Sequence, residues 1–180
     1  MLMNVADSIL VIVDVQKNLL PVMSQADAVL GNLVRLVKGA HRLGVPVIAS
    51  EQYPKGIGPT VDDLRGLPGF ETVIEKMTFS CLGETNFVKQ FAAIARPRVI
   101  LAGIESHVCV LQTAFDFIGV DAHVCLVADA VDSRAPENKA HALERMRNAG
   151  AEIVTTEMVL FEWMRVAGTP EFKEISALIK

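Results

Sequence analysis

Three side chains with complementary chemistry, Asp14, Lys76 and Cys109, each follow a different apolar run of the sequence. Asp14 ends the run Ile-Leu-Val-Ile-Val, Lys76 closes Val-Ile-Glu-Lys, and Cys109 comes shortly after the run at 99–102. Residues that follow parallel strands meet at one edge of a sheet, where ligands bind. A carboxylate there can accept the thiol proton, while an ammonium holds the carboxylate and the thiolate in place. This combination of residue types indicates nucleophilic catalysis by a cysteine.

The sequence around Cys109 predicts the first turn of a helix. Ser106 is suited to cap that helix, which would put His107 and Cys109 in its first turn. Unpaired amides and the helix dipole favour negative charge there, so we expect a lowered pKa for the Cys109 thiol, with Lys76 adding to the effect. The alternative is structural: a buried cysteine, a polar strand end at Asp14 and a solvated Lys76.

The elements that would position these residues alternate along the whole chain. Strands are predicted at 9–13, 45–49, 72–74, 99–102, 122–127 and 152–154, and helices at 28–43, 86–95, 108–117 and 137–149. This alternation is typical of a mainly parallel sheet with helices on both faces. No linker or repeat divides the sequence, so we predict one α/β domain over 1–180. Residues 52–69, rich in proline and glycine, read as a loop that is either a pocket wall or an ordinary connection.

Composition and charge restrict the kinds of partner and the location that we expect for this protein. The net charge of −4, with 17 Lys and Arg spread along 180 residues, offers no basic patch for a nucleic acid. The apolar run at 8–13 is too short to span a membrane and lacks the basic flank of a signal peptide. Three cysteines cannot all pair within one chain, so we expect a reducing, cytoplasmic location.

The apolar content predicts self-association. Hydrophobic residues make up 51% of the chain, and the segment 158–164 carries bulky residues around most of a predicted helix. A helix that is apolar nearly all round must be covered on nearly all sides. We therefore expect a homo-oligomer, at least a dimer. The alternative is that the chain's own tail at 172–179 covers this helix.

Five motifs carry a family resemblance. Ile-Val-Asp-Val-Gln at 12–16, Glu-Lys-Met-Thr-Phe-Ser at 75–80 and Gly-Ile-Glu-Ser-His-Val-Cys-Val at 103–110 resemble the signatures of the isochorismatase-like hydrolases, in the same order and spacing. The resemblance continues through 127–134 and 149–157. Within the family, the sequence is most similar to the branch of isochorismatase domain-containing proteins, which does not specify a substrate.

The resemblance implies a Rossmann-like, three-layer αβα sandwich with a six-stranded, mainly parallel sheet. It also implies a catalytic triad of Asp14, Lys76 and Cys109 that works through an acyl-enzyme intermediate. By the same resemblance, the peptide bond between Ile104 and Glu105 is expected to be cis, and the backbone amides of Glu105 and Cys109 to form an oxyanion hole.

Pocket and metal expectations also follow from the resemblance. The predicted substrate-binding residues are Gln16, Leu19, Tyr53, Phe79 and His107. Nicotinamidases of this family carry an aspartate and two histidines as metal ligands after the second strand, where this chain reads Ser-Glu-Gln-Tyr-Pro. We therefore expect neither a metal site nor another cofactor.

Together these features predict a metal-independent cysteine hydrolase acting on a small-molecule amide, carbamoyl or related carbonyl compound. The alternative is a catalytically silent oligomeric scaffold or binding protein that retains the hydrolase fold. A redox role for the thiol is a third possibility, although neither Cys81 nor Cys125 is adjacent to Cys109 in sequence.

Overall fold

A six-stranded sheet forms the centre of the computed structural model, which describes residues 1–179. The strands are β1 Ser8–Val13, β2 Val47–Gln52, β3 Val73–Lys76, β4 Arg98–Ile104, β5 His123–Asp132 and β6 Glu152–Val154, in the spatial order β3-β2-β1-β4-β5-β6. Every neighbouring pair is parallel. All carboxyl ends therefore lie at one edge, and the predicted α/β class is confirmed.

Helices connect the strands and cover the sheet. They are α1 Ala26–Leu43, α2 Pro54–Ile57, α3 Asp62–Arg65, α4 Thr85–Ile94, α5 Leu111–Gly119, α6 Pro136–Asn148, α7 Thr156–Met164 and α8 Pro170–Ile179. A π-helical turn, Ser106–Val110, precedes α5, and single 3₁₀ turns lie at Leu20–Val22 and Cys81–Gly83. The predicted loop at 52–69 thus contains the end of β2 and two short helices.

Two apolar cores, one on each face of the sheet, make the three-layer sandwich. Leu10 and Ile12 of β1 pack in the core shared with α1, α7 and α8, whereas Ile9, Val11 and Val13 face the core shared with α4, α5 and α6. This split follows from the two-residue period of a strand. Because both faces are covered, β1 is fully buried and is apolar from Ile9 to Val13, as parallel central strands are.

Differences between predicted and observed elements are largest beside the site. The strand predicted at 45–49 instead runs from Val47 to Gln52, because its polar end pairs with β3. The strand predicted at 122–127 extends to Asp132, where it pairs with Ile104. The sequence pattern missed both extensions because they carry polar side chains.

The C-terminal helices cover each other in part. Val159, Leu160 and Trp163 of α7 are buried, while Phe161 is 47% exposed and meets the Phe172 ring of α8 at 6.4 Å between centroids. The tail thus provides some of the cover that the apolar pattern of α7 requires.

Within residues 1–179, no helix is both long and apolar enough to cross a membrane.

Candidate active site

The register of the sheet brings four strand ends to one level. Val13 of β1 is aligned with Ser50 of β2 and with Gly103 of β4, and Gln52 of β2 is aligned with Lys76 of β3. Asp14 follows Val13 directly, so its side chain lies beside these ends. Residues distant in sequence are therefore gathered at the carboxyl edge of the sheet, where parallel α/β folds bind ligands.

Asp14 and Lys76 form a buried ion pair. The Lys76 Nζ donates to Asp14 Oδ2 at 2.7 Å, and the exposed fractions of the two side chains are 1% and 0%. Ser50 Oγ donates to the other carboxylate oxygen, Oδ1, at 2.7 Å. Both oxygens of Asp14 thus have a donor, as a buried carboxylate requires.

Lys76 is held by further acceptors besides Asp14. Its Nζ lies 2.8 Å from Gln52 Oε1, 3.1 Å from the Thr78 carbonyl and 3.0 Å from the Phe79 carbonyl. The ammonium has only three protons for these four acceptors, so its place is fixed from several directions. The sequence-based alternative of a solvated Lys76 is wrong, because the side chain is buried.

A π-helical turn carries Cys109. The amide of Val110 donates to the carbonyl of Glu105 at 3.2 Å, a bond spanning five residues, and the amide of Val108 donates to the same carbonyl at 3.1 Å. The predicted cap is wrong: Ser106 is the first residue of this turn, and its buried hydroxyl has no hydrogen-bond partner. Such turns occur frequently at functional sites.

The Cys109 thiol does not have the lowered pKa expected from sequence. Burial raises its pKa well above the ordinary value, and the negative charge of Asp14 raises the pKa further, while the charge of Lys76 lowers it. The expectation is wrong because Cys109 is only 6% exposed and lies beside a carboxylate. Desolvation and the charge of Asp14 raise the thiol pKa more than the charge of Lys76 lowers it. Cys109 therefore rests as a thiol facing a base.

A glycine with positive φ and a cis peptide bond lie at the end of β4, before the turn that carries Cys109. The peptide between Ile104 and Glu105 is cis, and Gly103 has a φ of 119°. A Cβ at Gly103 would overlap the backbone of Val13. Only glycine permits this close approach of β4 to β1, next to Asp14.

Glu105 and His107 connect the π-helical turn to the loop after β5. Glu105 is 7% exposed, and its Oε2 accepts from the Arg134 amide at 3.0 Å and from Arg134 Nε at 3.1 Å. His107 Nδ1 lies 2.9 Å from Ser133 Oγ, and its Nε2 lies 3.4 Å from Asn138 Nδ2. These contacts connect the turn that carries Cys109 to the loop after β5 and to the start of α6.

The remaining predicted pocket residues lie in three different environments. Gln16 is fully buried, and its amide bonds the backbone of Gln52 and Gly58, so it braces the loop after β2 and its polar atoms are already occupied. Leu19 packs against the core under α1. Tyr53 and Phe79 are 47% and 53% exposed at the carboxyl edge.

Ser50 and Cys81 belong to the site although the sequence analysis did not select them. Cys81 Sγ lies 3.4 Å from Ser50 Oγ, and both residues are buried. The sequence signal that could have identified Ser50 is a polar residue at the end of an apolar run. In the structure, Ser50 is aligned with Val13 across the sheet. No sequence pattern links Cys81 to Asp14, since only the fold brings them together.

The loop after β2 holds no ligand set of the nicotinamidase type. Glu51 is buried, and its Oε1 accepts from the Thr60 amide at 2.6 Å. Within residues 1–179, no three His, Cys, Asp or Glu side chains are grouped in a way that would hold a metal ion. The expectation of a metal-free reaction stays a prediction.

Comparison with known proteins identifies the family. Residues 8–158 match the family model described as Isochorismatase domain, and the chain belongs to this family of hydrolases. Isochorismatase domain-containing protein 1 of Danio rerio is 38% identical over 176 residues, which cover 97% of this chain and 62% of that protein. The chain thus spans about three-fifths of that relative.

Two other relatives come with different descriptions. The secreted isochorismatase effector Isc1 of Phytophthora sojae is 40% identical over 180 residues, covering 96% of this chain and 84% of that protein. The structure of the MAR1 ribonuclease of Caenorhabditis elegans superposes with a TM-score of 0.93 at 33% identity, covering 99% of this chain and 92% of that one.

The fold expected from the resemblance is confirmed. Cytoplasmic location and the absence of a nucleic acid partner stay predictions.

Proposed function

We propose that this protein is a metal-independent cysteine hydrolase of a small amide, carbamoyl or related carbonyl compound, acting through a Cys109-linked acyl intermediate. One observation carries the proposal: a buried Asp14–Lys76 ion pair, 2.7 Å between Nζ and Oδ2, beside a buried cysteine whose thiol pKa is raised by the charge of the same carboxylate. A buried charge pair with a nucleophile at the ligand-binding edge of the sheet is typical of catalytic sites.

In the first half-reaction, Asp14 takes the proton from the Cys109 thiol as its sulfur attacks the substrate carbonyl carbon. The raised pKa of the thiol favours a transfer coupled to attack over a standing thiolate. Asp14 then gives this proton to the departing nitrogen, the C–N bond breaks, and ammonia or an amine leaves. A thioester on Cys109 remains.

The second half-reaction reverses the roles of the same groups. Asp14 accepts a proton from a water molecule that attacks the thioester carbonyl, and the C–S bond breaks as Asp14 returns the proton to the Cys109 sulfur. The acid is released and the starting thiol is restored. Lys76 stays charged throughout and keeps the carboxylate aimed at the reacting atoms.

Backbone amides of Glu105 and Cys109 are the proposed donors to the oxyanion in both steps. Aligned amides next to a reacting carbonyl stabilise the tetrahedral intermediate more than the ground state. Tyr53, Phe79 and His107 remain the proposed substrate contacts. Gln16 and Leu19 stay predictions as pocket-lining positions: the amide of Gln16 is occupied by backbone bonds, and Leu19 is partly buried against the core.

A substrate panel with matched cysteine variants tests this function. Small primary amides, carbamates and ureas are incubated with the protein, released ammonia is measured, and a structured RNA is included because one relative is described as a ribonuclease. We expect at least one carbonyl compound to be hydrolysed, Cys109→Ala to abolish turnover, and Cys125→Ala, which removes a buried thiol outside the site, to retain it. Mass spectrometry of the quenched reaction should find the acyl group on Cys109. Turnover that survives Cys109→Ala, or cleavage of RNA alone, contradicts the proposal.

We also propose that the protein forms at least a homodimer and works in a reducing, cytoplasmic compartment. Met158 and Phe161 of α7 stay 43% and 47% exposed despite the cover from α8, and pairing of two copies is the commonest way to bury such a surface. The three free cysteines favour a compartment that keeps thiols reduced.

A further inference from the structure

A chain of hydrogen bonds runs from the core beneath α5 to the catalytic carboxylate. The amide of Cys81 donates to Thr113 Oγ1 at 3.0 Å, the Cys81 thiol donates to Ser50 Oγ at 3.4 Å, and Ser50 Oγ donates to Asp14 Oδ1 at 2.7 Å. All four residues are buried. The proposed reaction does not use Cys81 or Ser50, so their polar groups need another explanation.

The direction of these bonds is fixed by chemistry. A carboxylate can only accept, so the single proton of the Ser50 hydroxyl points to Asp14, and its oxygen is left to accept from Cys81. Burial raises the pKa of the Cys81 thiol to about 11, so its sulfur keeps the proton that it donates. Ser50 therefore cannot rotate its proton away from Asp14 without taking the donor away from Oδ1.

We propose that Ser50 and Cys81 are positioning residues for Asp14, which orient the carboxylate and weaken its hold on a proton so that it can exchange one with Cys109. Lys76 holds Oδ2, and the Cys81–Ser50 pair holds Oδ1, so the carboxylate cannot turn about its own axis. This inference rests on the proposed function, because it assigns the pair a part in the proton transfer.

The groups that face Asp14 are few and come from separate elements. Lys76 approaches from β3, the Cys109 thiol from the π-helical turn, Ser50 from β2, and the Cys81 thiol through Ser50. Of these, only Lys76 carries a charge at neutral pH. Loss of the Ser50 donor therefore leaves Lys76 as the main donor to the carboxylate, which disfavours the charged form of that carboxylate.

Alkylation of Cys109 by iodoacetamide, followed against pH by peptide mass spectrometry, tests the inference without any substrate. Its rate should fall on the acid side where Asp14 no longer accepts a proton. Removing a hydrogen bond to a charged group by Ser50→Ala should move this acid limb upward by about one to two pH units. Cys81→Ala should move it in the same direction by less, and Cys81→Ser, which keeps a donor, should leave it in place.

Thr156→Val is the matched control, since it removes a buried hydroxyl that donates to Asp129 at 3.0 Å away from the site. Its profile should superimpose on that of the unmodified protein. If Ser50→Ala does not fold, the comparison of Cys81→Ala with Cys81→Ser decides the question. An unchanged acid limb in folded Ser50→Ala, or identical profiles for the two Cys81 variants, overturns the inference. A failure of every substrate in the panel would leave this readout intact, so the two proposals fail separately.

Discussion

Replacing Lys76 by methionine isolates the contribution of the buried ion pair. Methionine is unbranched and apolar, so Lys76→Met keeps much of the side-chain volume and removes the ammonium. The Asp14 carboxylate, which is 0% exposed, then loses the donor to Oδ2 and keeps the Ser50 hydroxyl on Oδ1. Gln52 and the carbonyls of Thr78 and Phe79 lose a donor as well.

The magnitude follows from burial. Breaking a buried ion pair by removing one partner costs about 3–5 kcal/mol, because the remaining charge cannot be solvated. A domain of ordinary stability has about 5–15 kcal/mol in total, so we expect Lys76→Met to remove about a fifth of it or more. The double variant Asp14→Asn with Lys76→Met should be less destabilised than Lys76→Met alone, since it leaves no charge behind.

Equilibrium unfolding in urea measures the difference. The chain has a single tryptophan, Trp163, which is 4% exposed, so its fluorescence reports the loss of the α7 core. Lys17→Met is the matched control: Lys17 pairs with Asp62 at 2.8 Å, but the two side chains are 42% and 79% exposed. Its cost should stay below about 1 kcal/mol. Equal costs for Lys76→Met and Lys17→Met would refute the argument from burial.

Four further outcomes are expected. Burial raises the pKa of Cys125 to about 11, so the folded state holds this proton more tightly than the unfolded chain. The unfolding free energy should be constant below about pH 8.5 and fall above it, because Cys81, Cys109 and Cys125 all lose protons more readily in the unfolded chain; Cys125→Ala should remove roughly 2 kcal/mol of that fall by pH 11. Gly103→Ala should cost at least about 2 kcal/mol in urea unfolding, because its Cβ overlaps the Val13 backbone, whereas Gly119→Ala, whose Cβ meets nothing within 4 Å, should be near neutral. Hydrolysis of any amide found by the panel should survive EDTA; loss on chelation with recovery on added zinc would contradict the metal-free reaction. Light scattering at micromolar concentration should report at least a dimer, and a mass near 19.5 kDa would refute self-association.

The sequence predicted the layers of the fold because the strongest signals are apolar. Strand β1 and helix α1 were predicted within one or two residues, since β1 is continuous in Ile, Leu and Val and α1 repeats its apolar residues every three or four positions. The ends of β2 and β5 were missed because they are polar and form strands only by pairing with β3 and β4. Pairing across a sheet is not visible in a local pattern.

The sequence predicted which residues form the candidate site, but not the direction in which the pKa of Cys109 is shifted. Asp14, Lys76 and Cys109 were selected from their places after apolar runs, and the register of the sheet brings those runs to one edge. The direction of the Cys109 pKa was wrong, because a helix dipole can be expected from sequence whereas burial cannot. Cys81 was missed for a related reason, since its relation to Asp14 runs through Ser50 on another strand.

The raised thiol pKa and the buried ion pair are consistent with one another. If Cys109 rested as a thiolate, two negative charges would share a buried site with a single ammonium, and the excess charge would have to be solvated in the protein interior. With the proton on sulfur, Asp14 and Lys76 balance, and Ser50 and Cys81 complete the set of donors. In the proposed reaction, the Cys109 sulfur therefore stays protonated until a substrate carbonyl is bound. The carbonyl oxygen, held by backbone amides, then takes up the negative charge as Asp14 accepts the thiol proton.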